Sequence, residues 1–236
     1  MKTLRFLLSG ALALVTLFTA QAQTADEVID KHLQAIGGKE KLLTLTSVVM
    51  ECNLSVQGMD IPIKITQLNN KGQRVDITAM GMENYTIQTN TDGWTYMPIQ
   101  GQTAPQAMPA EAVKESVDLL DIQGALLNYK DKGHKVEYLG KEDVEGTECH
   151  KLKIALKGGM EQTMYFDPAS YYIVKVTSKS KATGQEVEQT QTFSNFKKLD
   201  EGFVFPFALT GFGPGELTIS KITVNQPVDE KIFKVQ

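Results

Sequence analysis

From residue 48 onward the chain alternates. Val48, Met50, Cys52, Leu54 and Val56 take every second position, with Val49, Glu51, Asn53 and Ser55 between them. A period of two is the mark of a strand with one buried face. Gly58 signals a turn, after which Met59, Ile61, Ile63 and Ile65 alternate with Asp60, Pro62, Lys64 and Thr66. The two runs predict a hairpin with a single apolar face. Pro62, which has no backbone N–H, belongs at an edge or bulged position. The turn Asn69-Asn70-Lys71-Gly72 follows, and strands are predicted over 73–79, 84–90 and 94–98, the last two joined by Asp92-Gly93. A second group of strands is predicted over 134–139, 147–156, 160–166, 171–179, 186–196, 203–209 and 215–225, with Gly158-Gly159 and Thr183-Gly184 as turns. In the last strand the apolar phase passes from Leu217 and Ile219 to Ile222 and Val224, which predicts a β-bulge near Ser220 or Lys221.

Two stretches follow the helical period instead. Thr24 and Glu27 form a capping box, Ile29, Leu33 and Ile36 recur on one side, and Gly37-Gly38 ends the run. A helix over Ala25–Ile36 is predicted, with one further turn at Lys39–Leu43. Between the strand groups, Pro98–Pro109 has no periodicity. Ala110–Asp121 then carries Val113, Val117 and Leu120 on one side, and Gly124 breaks it before a short helical run, Ala125–Tyr129. The links are short, so the strands form antiparallel meanders. A sheet of about twelve strands does not stay open and flat. The predicted fold class is mainly β (α+β), a strongly curved antiparallel half-barrel of about 11–12 strands with an N-terminal helix and a helical lid insert. It is read as a single domain over residues 23–236.

The segment ahead of that domain has a separate meaning. Lys2 and Arg5 precede the apolar run Phe6–Phe18, and Ala20-Gln21-Ala22 closes it. This is the pattern of a secretory signal peptide over residues 1–22, cut before Gln23, and the run is too short for a membrane span. No Cys follows it, so no lipid anchor is expected. The formal charge is −4, and loss of Lys2 and Arg5 makes it two units more negative. An acidic chain without a basic stripe argues against nucleic acid and anionic lipid surfaces as partners. A soluble monomer is expected. Export permits a disulfide between the two cysteines, Cys52 and Cys149. Their phases oppose it: Cys52 runs with Val48 and Leu54, whereas Cys149 runs out of step with Leu152 and Ile154.

Catalytic patterns are sparse. His32, His134 and His150 are far apart and match no metal spacing, and there is no G-x-S-x-G elbow. Gly211-Phe212-Gly213-Pro214-Gly215 lacks the lysine of a phosphate loop, and Pro214 removes an amide the phosphate would need. Glu142, Asp143, Glu145 and Glu148 cluster around the turn at Gly146, the one place where an acid pair for hydrolysis could be sought. No cofactor is implied. The chain has nine methionines, and Met80, Met82, Met97 and Met108 lie near Trp94, Tyr96 and the insert. Methionine suits surfaces that fit variable apolar ligands. With Val113, Val117 and Leu120 these residues form a candidate lining for a lipid-like molecule, gated by the 98–109 loop and the helix after it. Ordinary core packing is the competing explanation for each of them.

Three motifs carry a resemblance to a known family. The opening helix ends Gln34-Ala35-Ile36-Gly37-Gly38-Lys39-Glu40-Lys41-Leu42. Tyr165-Phe166-Asp167-Pro168 precedes Tyr172-Ile173-Val174-Lys175, and Phe193-Ser194-Asn195-Phe196-Lys197-Lys198 leads to Gly202-Phe203-Val204-Phe205-Pro206. With the order of elements, they resemble the LolA/LolB-like periplasmic lipoprotein carriers, in the outer membrane lipoprotein-sorting form found in Bacteroidetes. The resemblance implies an unclosed antiparallel barrel with a helical lid, a cavity for acyl chains, no catalysis and partner proteins at the inner and outer membranes. It also implies an arginine on an early strand that helps control the lid; Arg74 is the only arginine after the leader. The leading expectation is a non-catalytic periplasmic carrier or binder of lipids or lipoprotein acyl chains, serving outer-membrane lipoprotein sorting. The alternatives are an envelope structural or interaction protein with a self-filled core, and an exported hydrolase acting through the acidic turn.

Overall fold

The computed structural model describes residues 24–181 and 184–235. The leader, its cleavage site and Thr183 lie outside the described residues. Helix α1 spans Thr24–Ala35 and α2 is a single turn, Lys39–Leu42. Five strands follow: β1 Ser47–Val56, β2 Met59–Leu68, β3 Gly72–Ala79, β4 Met82–Thr89 and β5 Gly93–Tyr96. The short β6, Gln106–Ala107, precedes α3, Ala110–Ser116, and a 3₁₀ turn at Val117–Leu120. The second group comprises β7 Lys135–Val144, β8 Thr147–Ala155, β9 Glu161–Phe166, β10 Ile173–Ser180, β11 Val187–Ser194, β12 Lys197–Lys198, β13 Val204–Phe205, β14 Ala208–Thr210 and β15 Glu216–Val224. A third 3₁₀ turn, Glu230–Phe233, follows those at Pro98–Gln100 and Val117–Leu120 and ends the described chain's secondary structure.

Thirteen of these strands form one antiparallel sheet in the order β6-β5-β4-β3-β2-β1-β15-β14-β11-β10-β9-β8-β7, and β12 pairs with β13 separately. The two end strands, β6 and β7, do not pair with each other, so the sheet is a curved half-barrel rather than a closed one. The last strand, β15, joins the two meanders by pairing with β1 on one side and β14 on the other. The predicted bulge is present. Glu51 pairs with Lys221 and Cys52 with Ile219, leaving Ser220 unpaired as the extra residue. Pro62 sits opposite Asn53, and the ladder from β2 to β3 begins only at Ile63, so the proline meets a locally free edge.

Some boundaries differ from expectation. The strand expected over 203–209 is split into β13 and β14 at Pro206, which has no N–H for a ladder. The helix expected over Ala110–Asp121 stays α-helical only to Ser116. The Ser116 hydroxyl donates back to the Ala112 carbonyl at 2.6 Å, a bond that loosens the helix at its end. Ala125–Tyr129 is a chain of turns, not a helix, with Leu126 and Leu127 buried.

Register assigns the side chains to two faces. Leu217, Leu54 and Ile61 share one row, and Ile219, Cys52, Ile63 and Ile77 share the next. These residues, with α1, α2 and α3, belong to what we term the helical face. Val28, Ile29 and Leu33 of α1 pack there against Leu152, Ile154, Met164 and Phe166. A second apolar cluster on this face gathers Cys52, Leu54, Ile63, Val75, Phe207, Leu217 and Ile219. The opposite, open face of β1–β5 carries Glu51, Lys64, Arg74, Asp76 and Glu83. Cys52 lies on the helical face and Cys149 on the other. Both are buried free thiols, so the disulfide that export would permit is not formed. Burial pushes the Cys52 thiol up to about 11 and raises Cys149 as well.

Candidate functional site

The helical insert spans the gap that the sheet leaves open. Its near end docks on β4 and β5. Gln88 of β4 donates to the Ser116 hydroxyl at 2.9 Å. At Gly93 of β5, a Cβ would lie 2.5 Å from the Met108 sulfur and 2.9 Å from Val113 Cγ2, so only glycine lets the insert approach so closely. The far end docks on the second group of strands. Asp118 accepts the backbone N–H of Gly158, in the β8–β9 turn, at 2.6 Å. A Cβ at Gly158 would lie 2.8 Å from the Lys114 carbonyl oxygen. Glu115, itself buried, accepts from the Ser180 hydroxyl at 2.7 Å and the Lys181 N–H at 3.0 Å. The C-terminal side of the insert is tied to the β2–β3 turn, where Asn70 N–H donates to the Leu120 carbonyl at 2.9 Å and Ile122 N–H to Asn69 at 3.1 Å. A short helix therefore clasps strands from both ends of the open sheet, apolar at one anchor and polar at the other.

The structure distributes the residues named from sequence. Met108, Val113 and Leu120 are at the clasp, with Val113 and Leu120 buried and Val117 half-buried in the 3₁₀ turn between them. Met82 opens β4, half-buried, and Met97 follows β5, its N–H bonded to Gln102 Oε1 at 2.7 Å. Met80 is 78% exposed in the β3–β4 turn. Trp94 and Tyr96 point from β5 to the open face, where Trp94 pairs with Ile87 and Ala107 and Tyr96 with Tyr85. Tyr96 lines a groove of about 860 Å³ on that face, together with Lys64, Arg74, Asp76 and Tyr85. Sequence reasoning missed Gly93, Gly158, Glu115 and Asp118, the anchors themselves. Gly93 and Gly158 were legible only as turn residues.

Arg74 makes its bonds to residues other than those of α3. Its Nε donates to Asp76 at 2.7 Å, its terminal nitrogen donates to the Ile232 carbonyl at 3.1 Å, and its guanidinium stacks 4.5 Å from the Tyr85 ring centre. It serves the open face and the C-terminal turn, away from α3.

The three histidines are hydrogen-bonded within the fold. His32 Nδ1 carries the proton donated to the Tyr171 carbonyl at 2.8 Å, and burial lowers its pKa to about 4. His134 accepts from the Lys157 N–H at 3.1 Å, and His150 bonds Tyr138 at 3.2 Å. Glu142, Asp143, Glu145 and Glu148 are all exposed. Lys151, 2.6 Å from Glu142, holds that carboxyl below its usual range, the opposite of what a general acid needs. At Glu142 the hydrolase alternative finds no support. Among the described residues, no group of three or more His, Cys, Asp or Glu could hold a metal ion, and no helix is long and apolar enough to cross a membrane.

Solved structures share this architecture. A LolA superfamily protein from Nitrosomonas europaea superposes with a TM-score of 0.54 at 14% identity, covering 89% of this chain and 97% of its own. The fold is LolA-like. An outer membrane lipoprotein-sorting protein domain from Vibrio parahaemolyticus matches at a TM-score of 0.50 and 17% identity, over 88% of this chain and 94% of that one. A DUF1329 family protein from Desulfovibrio piger matches at 0.53 and 14%, over 89% and 96%. No protein-family model and no curated protein matches the sequence. A LolA-like fold is thus shared at identities where sequence alone retains little of it.

Proposed function

We propose that this protein is an exported, non-catalytic carrier of lipids or lipoprotein acyl chains in the periplasm, released from its leader by cleavage before Gln23. The observation that supports this most is the clasp. A seven-residue helix is held across an open sheet whose helical face is lined by Cys52, Leu54, Ile63, Val75, Leu217 and Ile219. An acyl chain seated against that lining would gain about 0.8 kcal/mol per buried CH₂, with the insert moving aside to admit it. The polar far anchor suits such a device, because bonds to water replace those of Glu115 and Asp118 when it opens. The lipoprotein-sorting role of the Vibrio parahaemolyticus neighbour points the same way, and implies donor and acceptor proteins at the two membranes.

One observation favours a second reading. Phe207, only 7% exposed, sits within the same apolar cluster, so the protein's own side chains occupy part of the lining. A structural envelope protein with a self-filled core would look like this. The two readings separate on one experiment. The protein is purified from its native cell, extracted with organic solvent and analysed by mass spectrometry; it is then titrated with a fatty acid while Trp94, the single tryptophan, is followed by fluorescence. Trp94 adjoins Gly93, where the insert docks, so displacement of the clasp alters its surroundings. Co-purified lipid and a saturable fluorescence change are expected. Neither lipid nor fluorescence change would leave the self-filled reading standing.

A further inference from the structure

The open face of β1–β5 has a feature that acyl binding does not use. Along these strands its side chains are largely polar, as expected of a solvated face. Two tyrosines stand out, Tyr85 on β4 and Tyr96 on β5. They are cross-strand partners with ring centres 5.4 Å apart and planes tilted by 48°. The Arg74 guanidinium extends the same surface by stacking on Tyr85. Arg74 is fixed in that pose by Asp76 and by the Ile232 carbonyl, so the platform is ordered before any ligand arrives. Thr103, Ala104 and Pro105 also line the groove, which is open on one side and, at about 860 Å³, falls within the size range of ligand sites.

We propose that this groove binds a neutral oligosaccharide. Three observations select that chemistry. First, tyrosine faces suit the C–H faces of sugar rings, while Lys64, Asp76 and Glu83 around them supply donors and acceptors for hydroxyls. Second, the charges offset one another. Arg74 is paired with Asp76, and Lys64 stands beside Glu51 and Asp76 in the ladders, so no single-sign field is present to select an ion. Third, the groove runs from Ser220 on β15 to Tyr96 on β5. Five interstrand steps of about 4.8 Å give roughly 24 Å, the span of several linked rings rather than one. An extended peptide is a poorer fit. Under the tyrosines β3 and β4 are paired on both sides, and the stretch of β2 without a β3 partner ends in Pro62, which has no N–H to give an added strand.

The test uses the exported protein in native gels carrying laminarin, soluble starch or galactomannan, with calorimetric titration by chitohexaose and maltohexaose. At least one glycan is expected to retard or bind the protein. Tyr85→Ala and Tyr96→Ala should each weaken that binding about tenfold or more, while Tyr96→Phe, which keeps the ring, should stay within about twofold. Binding of none of these glycans overturns the proposal, as does equal binding by the Tyr85→Ala/Tyr96→Ala double variant. Capture of members of an unstructured peptide array in place of any glycan overturns it too and assigns the groove to peptide. The site lies on the face opposite the clasp, so the alanine variants should still co-purify with lipid, read by mass spectrometry rather than by Trp94, which shares the face of the groove. Failure here is therefore distinct from failure of the carrier reading.

Discussion

Two helices lie on the same face of one sheet and are held in different ways. α1 buries Val28, Ile29 and Leu33 to 3% exposure or less against β8 and β9. The buried part of its attachment is mainly apolar, with the His32–Tyr171 hydrogen bond set within it, and water does not replace the apolar part. α3 buries one apolar residue, Val113, and the carboxylate of Glu115. Its far anchor consists of hydrogen bonds to Gly158, Ser180 and Lys181. Water can replace these at little net cost. A helix with a wide apolar stripe is part of the core; a helix pinned by a few polar contacts is a detachable cover. On the function proposed above, α1 is the permanent cap and α3 the one that would be released.

The strongest way to break the comparison is at α1. Leu33→Ala should cost about 2–5 kcal/mol of global stability, read from the urea midpoint, because the cavity sits between helix and sheet. A loss below about 1 kcal/mol would place α1 in the same class as α3.

Acid probes the same interface. The unfolded His32 takes up a proton near pH 6.5, whereas in the fold burial delays this to about pH 4. The stabilisation is therefore complete above about pH 6.5 and drains away as pH falls toward 4, by about 3 kcal/mol. A melting profile between pH 7 and pH 4.5 should slope accordingly, and His32→Asn should flatten it. An unchanged slope in the variant would remove His32 as the source.

The smallest global effect is expected at the clasp. Glu115→Gln keeps the shape but replaces charge-assisted bonds with neutral ones, a change of about 1 kcal/mol confined to the insert. Amide exchange over 110–120 should quicken severalfold while α1 and β8 remain protected. Equal acceleration across α1 would show that the two helices open together.

Much of this fold could be read from periodicity. Alternation located the hairpins of both strand groups, and the phase switch after Ile219 located the bulge at Ser220. The opposite phases of Cys52 and Cys149 separated the thiols. The candidate lining was only partly legible. Met108 and Val113 do meet over Gly93, but Trp94 and Tyr96 point to the other face. Their place in a strand was visible, while the cover on each side of that strand was not. Pro206 and Ser116 moved element boundaries through single backbone or hydroxyl effects that a hydrophobic pattern averages out.

The sequence by itself determined which residues alternate, where the chain turns and where one extra residue enters a strand, because these depend on neighbours a few positions apart. Only the tertiary structure decided that Gly93 and Gly158, far apart in the chain, become the two seats of one helix. It alone brought Arg74, Tyr85 and Tyr96 into one platform on the face away from that helix. Both arrangements follow from the order of strands and the curvature of a thirteen-stranded sheet. Curvature accumulates from the twist between every pair of strands, so no local stretch of sequence encodes which distant groups it brings together.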